Sequence, residues 1–138
     1  GTPYYNPHIN RPYDKGGYIP PEHPLEGVAR LIGGIGEIQK AYPDMAVVGT
    51  GYSWLRQFSA NLGAGVLENG LATFIGFGRE AFAYPDFAKD ILSQGQMEKN
   101  KCCIACGKCA ELLRAGEKAG CVVRDSELYA PIYRTINK

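Results

Sequence analysis

The chain has 138 residues, 45% of them hydrophobic, and a formal net charge of +1. That length suits one ordinary domain, and the apolar content excludes an intrinsically disordered chain. The near-neutral balance gives no electrostatic footprint for nucleic acid or an acidic membrane surface, and no apolar run reaches the roughly 18 residues that a membrane span needs.

Residues 1–22 show neither helical nor strand periodicity. Pro3, Pro7, Pro12, Pro20 and Pro21, with Gly16 and Gly17, make a long irregular loop. Loops of this length in compact proteins are usually functional or disordered. Tyr4, Tyr5, Tyr13 and Tyr18 favour an ordered, packed one. The segment has no apolar h-region, so no secretion signal is read there. A helix is expected from about Pro24 to Ala41, because Val28, Leu31, Ile32, Ile35 and Ile38 recur at three- and four-residue spacing. Gly33, Gly34 and Gly36 weaken it by up to about 1 kcal/mol each relative to alanine, and permit close packing against a neighbour. Pro43-Asp44 ends it.

Met45-Ala46-Val47-Val48 reads as a short, fully buried strand running into Gly49-Thr50-Gly51. Ser53 is placed to cap a following helix with Trp54, Leu55, Phe58 and Leu62 on its apolar side, and Asn69-Gly70 stops it. Leu71–Ile75 reads as a second buried strand, running into Gly76-Phe77-Gly78-Arg79. Another helix is expected from near Pro85-Asp86, carrying Phe87, Ile91 and Leu92. The order helix, strand, helix, strand, helix predicts an α/β architecture of parallel strands joined by right-handed crossovers. Two buried strands cannot stand alone. The chain is therefore expected to be a piece of something larger (a subunit, a split gene product or a fragment) that completes its sheet with another polypeptide.

The last third holds the most specific signal. Cys103-Ile-Ala-Cys106-Gly-Lys-Cys109 is followed by eleven residues and then Cys121. A Cys-x2-Cys-x2-Cys run puts three thiolates on one tight loop, as three corners of a cubane cluster require, and a fourth cysteine can arrive from elsewhere. Structural zinc more often uses two separated Cys-x2-Cys knuckles. A disulfide framework fits poorly with five cysteines, an odd number, and no secretion signal. Cys102 is the surplus thiol: using it would give a weaker Cys-x3-Cys step, so it reads as a packing residue or a neighbour of the ligands. Reduced cysteines point to a cytoplasmic location.

Each predicted strand ends in a glycine turn that opens a helix. Backbone N–H groups at such turns, backed by a helix dipole, bind phosphate. Arg79 adds a planar fork for phosphate oxygens. The plainer reading is that Gly-x-Gly turns give strands a sharp exit and that Arg79 is a surface ion-pair partner. Neither turn is a dinucleotide fingerprint or a Walker loop. In eight-stranded (β/α)8 barrels the loops after the last two strands commonly form a phosphate site, so the two strand–glycine–helix units fit the final quarter of such a barrel.

The stretch Phe74-Ile-Gly-Phe-Gly-Arg-Glu-Ala-Phe-Ala-Tyr-Pro-Asp86 resembles the last strand and phosphate loop of the old yellow enzyme family of FMN oxidoreductases. Val47-Val-Gly-Thr-Gly-Tyr52 is similar to the preceding strand and turn. The cysteine motif is similar to that of the family's iron–sulfur branch, which includes 2,4-dienoyl-CoA reductase and trimethylamine dehydrogenase. Gly1–Asn10 resembles the loop after the sixth strand. The resemblance implies the C-terminal portion of an FMN-binding TIM barrel over residues 1–95, followed by a [4Fe-4S] segment over 96–138. It implies that Gly49, Gly51, Gly78 and Arg79 hold the FMN phosphate, and that Cys103, Cys106, Cys109 and Cys121 hold the cluster. Tyr4, Tyr5 and His8 would lie on the loop above the flavin, although tyrosines and prolines often simply build a rigid loop. The family's first strands, with the usual proton donor, have no counterpart here, nor do the nucleotide-binding domains that follow the cluster in longer members. A second polypeptide or an N-terminal part would supply the missing strands, and NAD(P)H or a separate reductase would supply electrons. The activity implied is reduction of an activated C=C bond or oxidation of a small substrate such as an amine. Two other readings are an electron-transfer subunit that serves a partner's flavin and a zinc-stabilised, non-enzymatic binding module.

Overall fold

The computed structural model of the chain describes residues 22–137, and its first helix has a start encoded within four consecutive positions. In α1 (Pro24–Ala41), the His23 Nδ1 accepts the Leu25 N–H at 3.2 Å, and the Glu26 carboxylate accepts the His23 N–H at 2.9 Å. Pro24 fills the first turn, where its missing N–H costs nothing. The helix has the bounds that periodicity predicts. Of its glycines, Gly36 makes a close contact: a Cβ there would lie 2.8 Å from the Leu71 Cδ2, whereas Gly33 and Gly34 face open space.

Two strands follow, β1 (Val48–Gly49) and β2 (Phe74–Ile75), paired in parallel with Val48 opposite Phe74 and Gly49 opposite Ile75. The parallel pairing is as expected, but the strands are shorter than their apolar runs, and one face of the pair is open. Val48 and Phe74 are each 55% exposed, and Met45 is 48% exposed. The reason lies in what covers the sheet. Its other face packs onto helices, where Tyr52, Val66 and Ala72 form a core joined by Ile32 and Ile35 of α1, and by Leu62 and Ile75. Among the described residues no second layer lies over Val48 and Phe74.

The connection between the strands also departs from expectation. Tyr52–Phe58 is a 3-10 helix, which passes into α2 (Ser59–Glu68) through a kink at Arg56, with φ 52° and ψ −122°. Ser53 caps nothing; it is buried inside the 3-10 turn, and the Ser59 hydroxyl instead donates to the Tyr52 carbonyl at 2.8 Å. Asn69 caps the end of α2, as expected. After β2 come two helices rather than one, α3 (Arg79–Ala83) and α4 (Phe87–Gln94). Phe87 and Ile91 of α4 pack against a second core of Tyr84, Met97 and Cys102, while Leu92, expected on the apolar side, is 89% exposed. The cysteine-rich part contains two further helices, α5 (Lys108–Arg114) and α6 (Ser126–Ile136). The described residues are thus a mixed α/β assembly, and no helix among them is long and apolar enough to cross a membrane.

Gln39 ties α1 to the sheet. Its amide donates to the Met45 carbonyl at 3.1 Å and accepts from the Thr73 hydroxyl at 2.7 Å, while that hydroxyl accepts the Val47 N–H at 3.1 Å. Removing a buried partner leaves the others unsatisfied. Gln39→Leu is expected to lower the unfolding free energy by about 1–3 kcal/mol, measured by urea unfolding. An unchanged midpoint would contradict the linking role of Gln39.

Candidate metal centre

The cysteine loop is held from both ends. At its entry, Lys101 donates to Asp90 at 3.1 Å and to Glu98 at 2.7 Å, and stands 5.1 Å over the Tyr84 ring. The buried Tyr84 hydroxyl donates to Asp90. The Tyr84 bond, and then Lys101, hold the Asp90 carboxyl below its ordinary range, whereas burial pushes the Tyr84 phenol up. At the far end, Tyr133 of α6 donates to Glu111 of α5 at 2.6 Å, and Lys108 lies 5.1 Å over the Tyr133 ring. Burial, and then Glu111, push Tyr133 up to about 12.

Within the loop, Ala105 has φ 53° and Gly107 has φ 79°. The left-handed region is open to glycine but strained for alanine, and here it wraps the chain so that thiols 103, 106 and 109 turn to one side. Cys109 lies in the first turn of α5. Cys121 comes to the same place because Gly120 lets the Tyr129 ring of α6 lie directly on the backbone, where a Cβ would be 2.1 Å from that ring. Two amides point at sulfur: Ala105 N–H donates to Cys103 Sγ and Arg124 N–H to Cys121 Sγ, both at 3.3 Å.

All four cysteines of the motif line one small cavity, open on one side to solvent, together with Arg79 and Arg124; Phe82, Ile104 and Val122 make its apolar wall. None of the five cysteines is joined in a disulfide. Burial pushes the Cys103 thiol up to about 11 and raises Cys109, against the opposing pull of nearby amides and the Arg79 charge. Cys102 does not line the cavity. It is fully buried, donates to the Glu98 carbonyl at 3.3 Å, and is pushed up to about 11 by burial and by Glu80. Its expected role as a packing residue agrees with this position.

Among the described residues, no group of three or more His, Cys, Asp or Glu side chains is placed to hold a metal ion. A single zinc with bonds of about 2.3 Å would draw tetrahedral sulfurs to within about 3.8 Å of each other. The four thiols line one cavity. Thiolate donors with amides aimed at sulfur suit either zinc or an iron–sulfur group.

The two glycine turns are neighbours. Gly49 ends β1, Gly51 follows it, Gly78 precedes α3, and the Gly76 N–H donates to the Gly49 carbonyl at 2.7 Å. Gly49 approaches Tyr52 so closely that a Cβ would lie 2.0 Å from its hydroxyl, and Gly78 faces open space. The Tyr52 hydroxyl is buried without a hydrogen-bond partner among the described residues, and burial raises its pKa so that it stays a donor. An acceptor such as a phosphate oxygen would satisfy it. Arg79, which follows Gly78 directly, lines the cysteine cavity. Tyr4, Tyr5 and His8 lie outside the described residues.

Three residues at the site carried no signal in the sequence reading. Tyr52 could have been found from its place directly after Gly-Thr-Gly. Glu80 is fully buried, and its carboxyl oxygens accept the Cys103 N–H at 3.0 and 3.2 Å. Burial pushes that carboxyl up, while the Cys103 amide, Arg124 and Arg56 pull it down. Arg124 grips the Cys102 carbonyl through Nε at 3.2 Å and Nη2 at 2.8 Å. Comparison with protein-family models, with curated proteins and with solved structures finds no match to this chain.

The packing at Gly120 makes a direct prediction. Gly120→Val must expel the Tyr129 ring, costing about 1 kcal/mol or more, and should raise amide exchange in α6. Unchanged stability and protection would contradict the contact.

Proposed function

We propose that this chain is a component of a flavin- and iron–sulfur-dependent oxidoreductase of the ene-reductase type, with a [4Fe-4S] cluster held by Cys103, Cys106, Cys109 and Cys121. The observation that carries the reading is the convergence of these four thiols, eighteen residues apart at the extremes, on one cavity. Two amide N–H groups aimed at Cys103 and Cys121 add support, because such bonds favour the thiolate form that ligates metal. The zinc-module reading is weaker, since structural zinc more often uses two separated Cys-x2-Cys knuckles.

FMN is the second proposed cofactor, with its phosphate at Gly49, Gly51, Gly78 and Arg79. The adjacent turns and the unpartnered Tyr52 hydroxyl support this placement. When bound, the flavin supplies hydride transfer and the cluster supplies one-electron transfer. The chain's own contribution is to orient and to balance charge: Arg79 and Arg124 line the cavity with the thiols, and Phe82, Ile104 and Val122 give it an apolar wall. The exposed Val48 and Phe74 face supports the proposal that further parallel strands, from a second polypeptide or another part of the same one, complete a (β/α)8 barrel. Electrons would come from NAD(P)H or a separate reductase.

Anaerobic reconstitution with iron and sulfide tests the proposal. About four irons and four acid-labile sulfides per chain, with a broad brown absorption band, are expected. Bound zinc without iron, or thiols paired as disulfides, would overturn it. Iron uptake without FMN binding, in the presence of the completing polypeptide, would favour the electron-transfer subunit instead.

A further inference from the structure

Cys102 and Cys103 are adjacent, chemically identical and both buried, yet only Cys103 faces the cavity. The orientation of the peptide joining the two residues decides which thiol is presented. That one peptide group is gripped at both of its polar ends. Its N–H, on Cys103, donates to both carboxyl oxygens of Glu80 at 3.0 and 3.2 Å. Its C=O, on Cys102, accepts from Arg124 at 3.2 and 2.8 Å. Glu80 comes from α3, directly after the second glycine turn, and Arg124 lies three residues past Cys121, whose sulfur accepts the Arg124 backbone N–H.

We propose that Glu80 and Arg124 are positioning residues that clamp the Cys102–Cys103 peptide, so selecting Cys103 over Cys102 as the first ligand of the site and docking the Cys121 segment against the cysteine loop. A peptide free to rotate would present either thiol, and the register of the four ligands would be lost. With the clamp closed, the Cys102 sulfur is turned away to the Glu98 carbonyl at 3.3 Å. Arg124 acts twice: its side chain fixes the start of the loop, and its main chain meets the fourth thiol. The assignment of Cys103 as a ligand rests on the cluster reading, but the clamp itself can be tested without metal.

The test is thiol bridging in the metal-stripped full chain. Dibromobimane links pairs of nearby thiols, and mass spectrometry identifies each pair. In the wild type, bridges are expected among Cys103, Cys106, Cys109 and Cys121, with Cys102 excluded. In Arg124→Met and Glu80→Met, the share of bridges containing Cys102 should rise by about fivefold or more relative to the Cys106–Cys109 bridge, the population change expected for losing a net hydrogen bond. Glu80→Gln keeps one acceptor for the Cys103 N–H and should restore most of the selectivity, which a merely destabilised loop would not show. Arg124 is exposed, so its substitution leaves the core intact and decides the matter if Glu80→Met does not fold. Cys102 bridging as readily as Cys103 in the wild type, or an unchanged pattern in Arg124→Met, would overturn the proposal. Should the wild type take up no iron while this pattern appears, the cluster reading falls and the clamp stands.

Discussion

Gathering four thiols around one partly closed cavity is the constraint to which the second half of this chain answers. A buried thiol resists ionisation, as Cys103 and Cys109 show, yet a thiol must ionise to bind metal. A cation reverses that preference, and the two arginines and sulfur-directed amides lower the cost before any metal is present. The supporting contacts are distributed accordingly. Lys101, Asp90 and Tyr84 hold the loop entry, Glu80 and Arg124 the peptide before the first ligand, and Tyr133 with Glu111 the helices behind Cys109 and Cys121.

The glycine turns and the cysteine cavity are linked through one short stretch of chain. Gly78, Arg79 and Glu80 are consecutive, and they serve respectively the turn, the cavity and the loop peptide. A change at one of these positions will therefore be felt at the others. The open face of Val48 and Phe74 lies in the other part of the molecule, on the sheet side away from α1 and α2. Its two apolar side chains match what a sheet presents where further protein is meant to pack.

Local, repeated signals were legible in the sequence. The bounds of α1 follow from Pro24, the Pro43-Asp44 stop and a regular apolar stripe, and Cys103, Cys106 and Cys109 are close enough that spacing alone brings them together. What depended on distant partners was not legible. An apolar run such as Met45–Val48 looks the same whether one face or two are covered, so the strands were read as longer and more buried than they are. Nothing in Ser53 reveals the kink at Arg56 that gives the capping space to a 3-10 turn. Glu80 resembles a surface charge until the amide 23 residues later is seen to bind it. Helices α5 and α6 were hidden by the cysteines, although Leu112, Tyr129 and Tyr133 carry part of a helical period.

X-ray absorption at the iron edge of the reconstituted protein tests most directly whether the four thiols hold one inorganic group. The account predicts an all-sulfur first shell at about 2.3 Å, the length typical of metal–thiolate bonds, together with an iron–iron shell that is lost or reduced when Cys121 is replaced by serine. A first shell of oxygen or nitrogen, or iron without an iron neighbour, would contradict it.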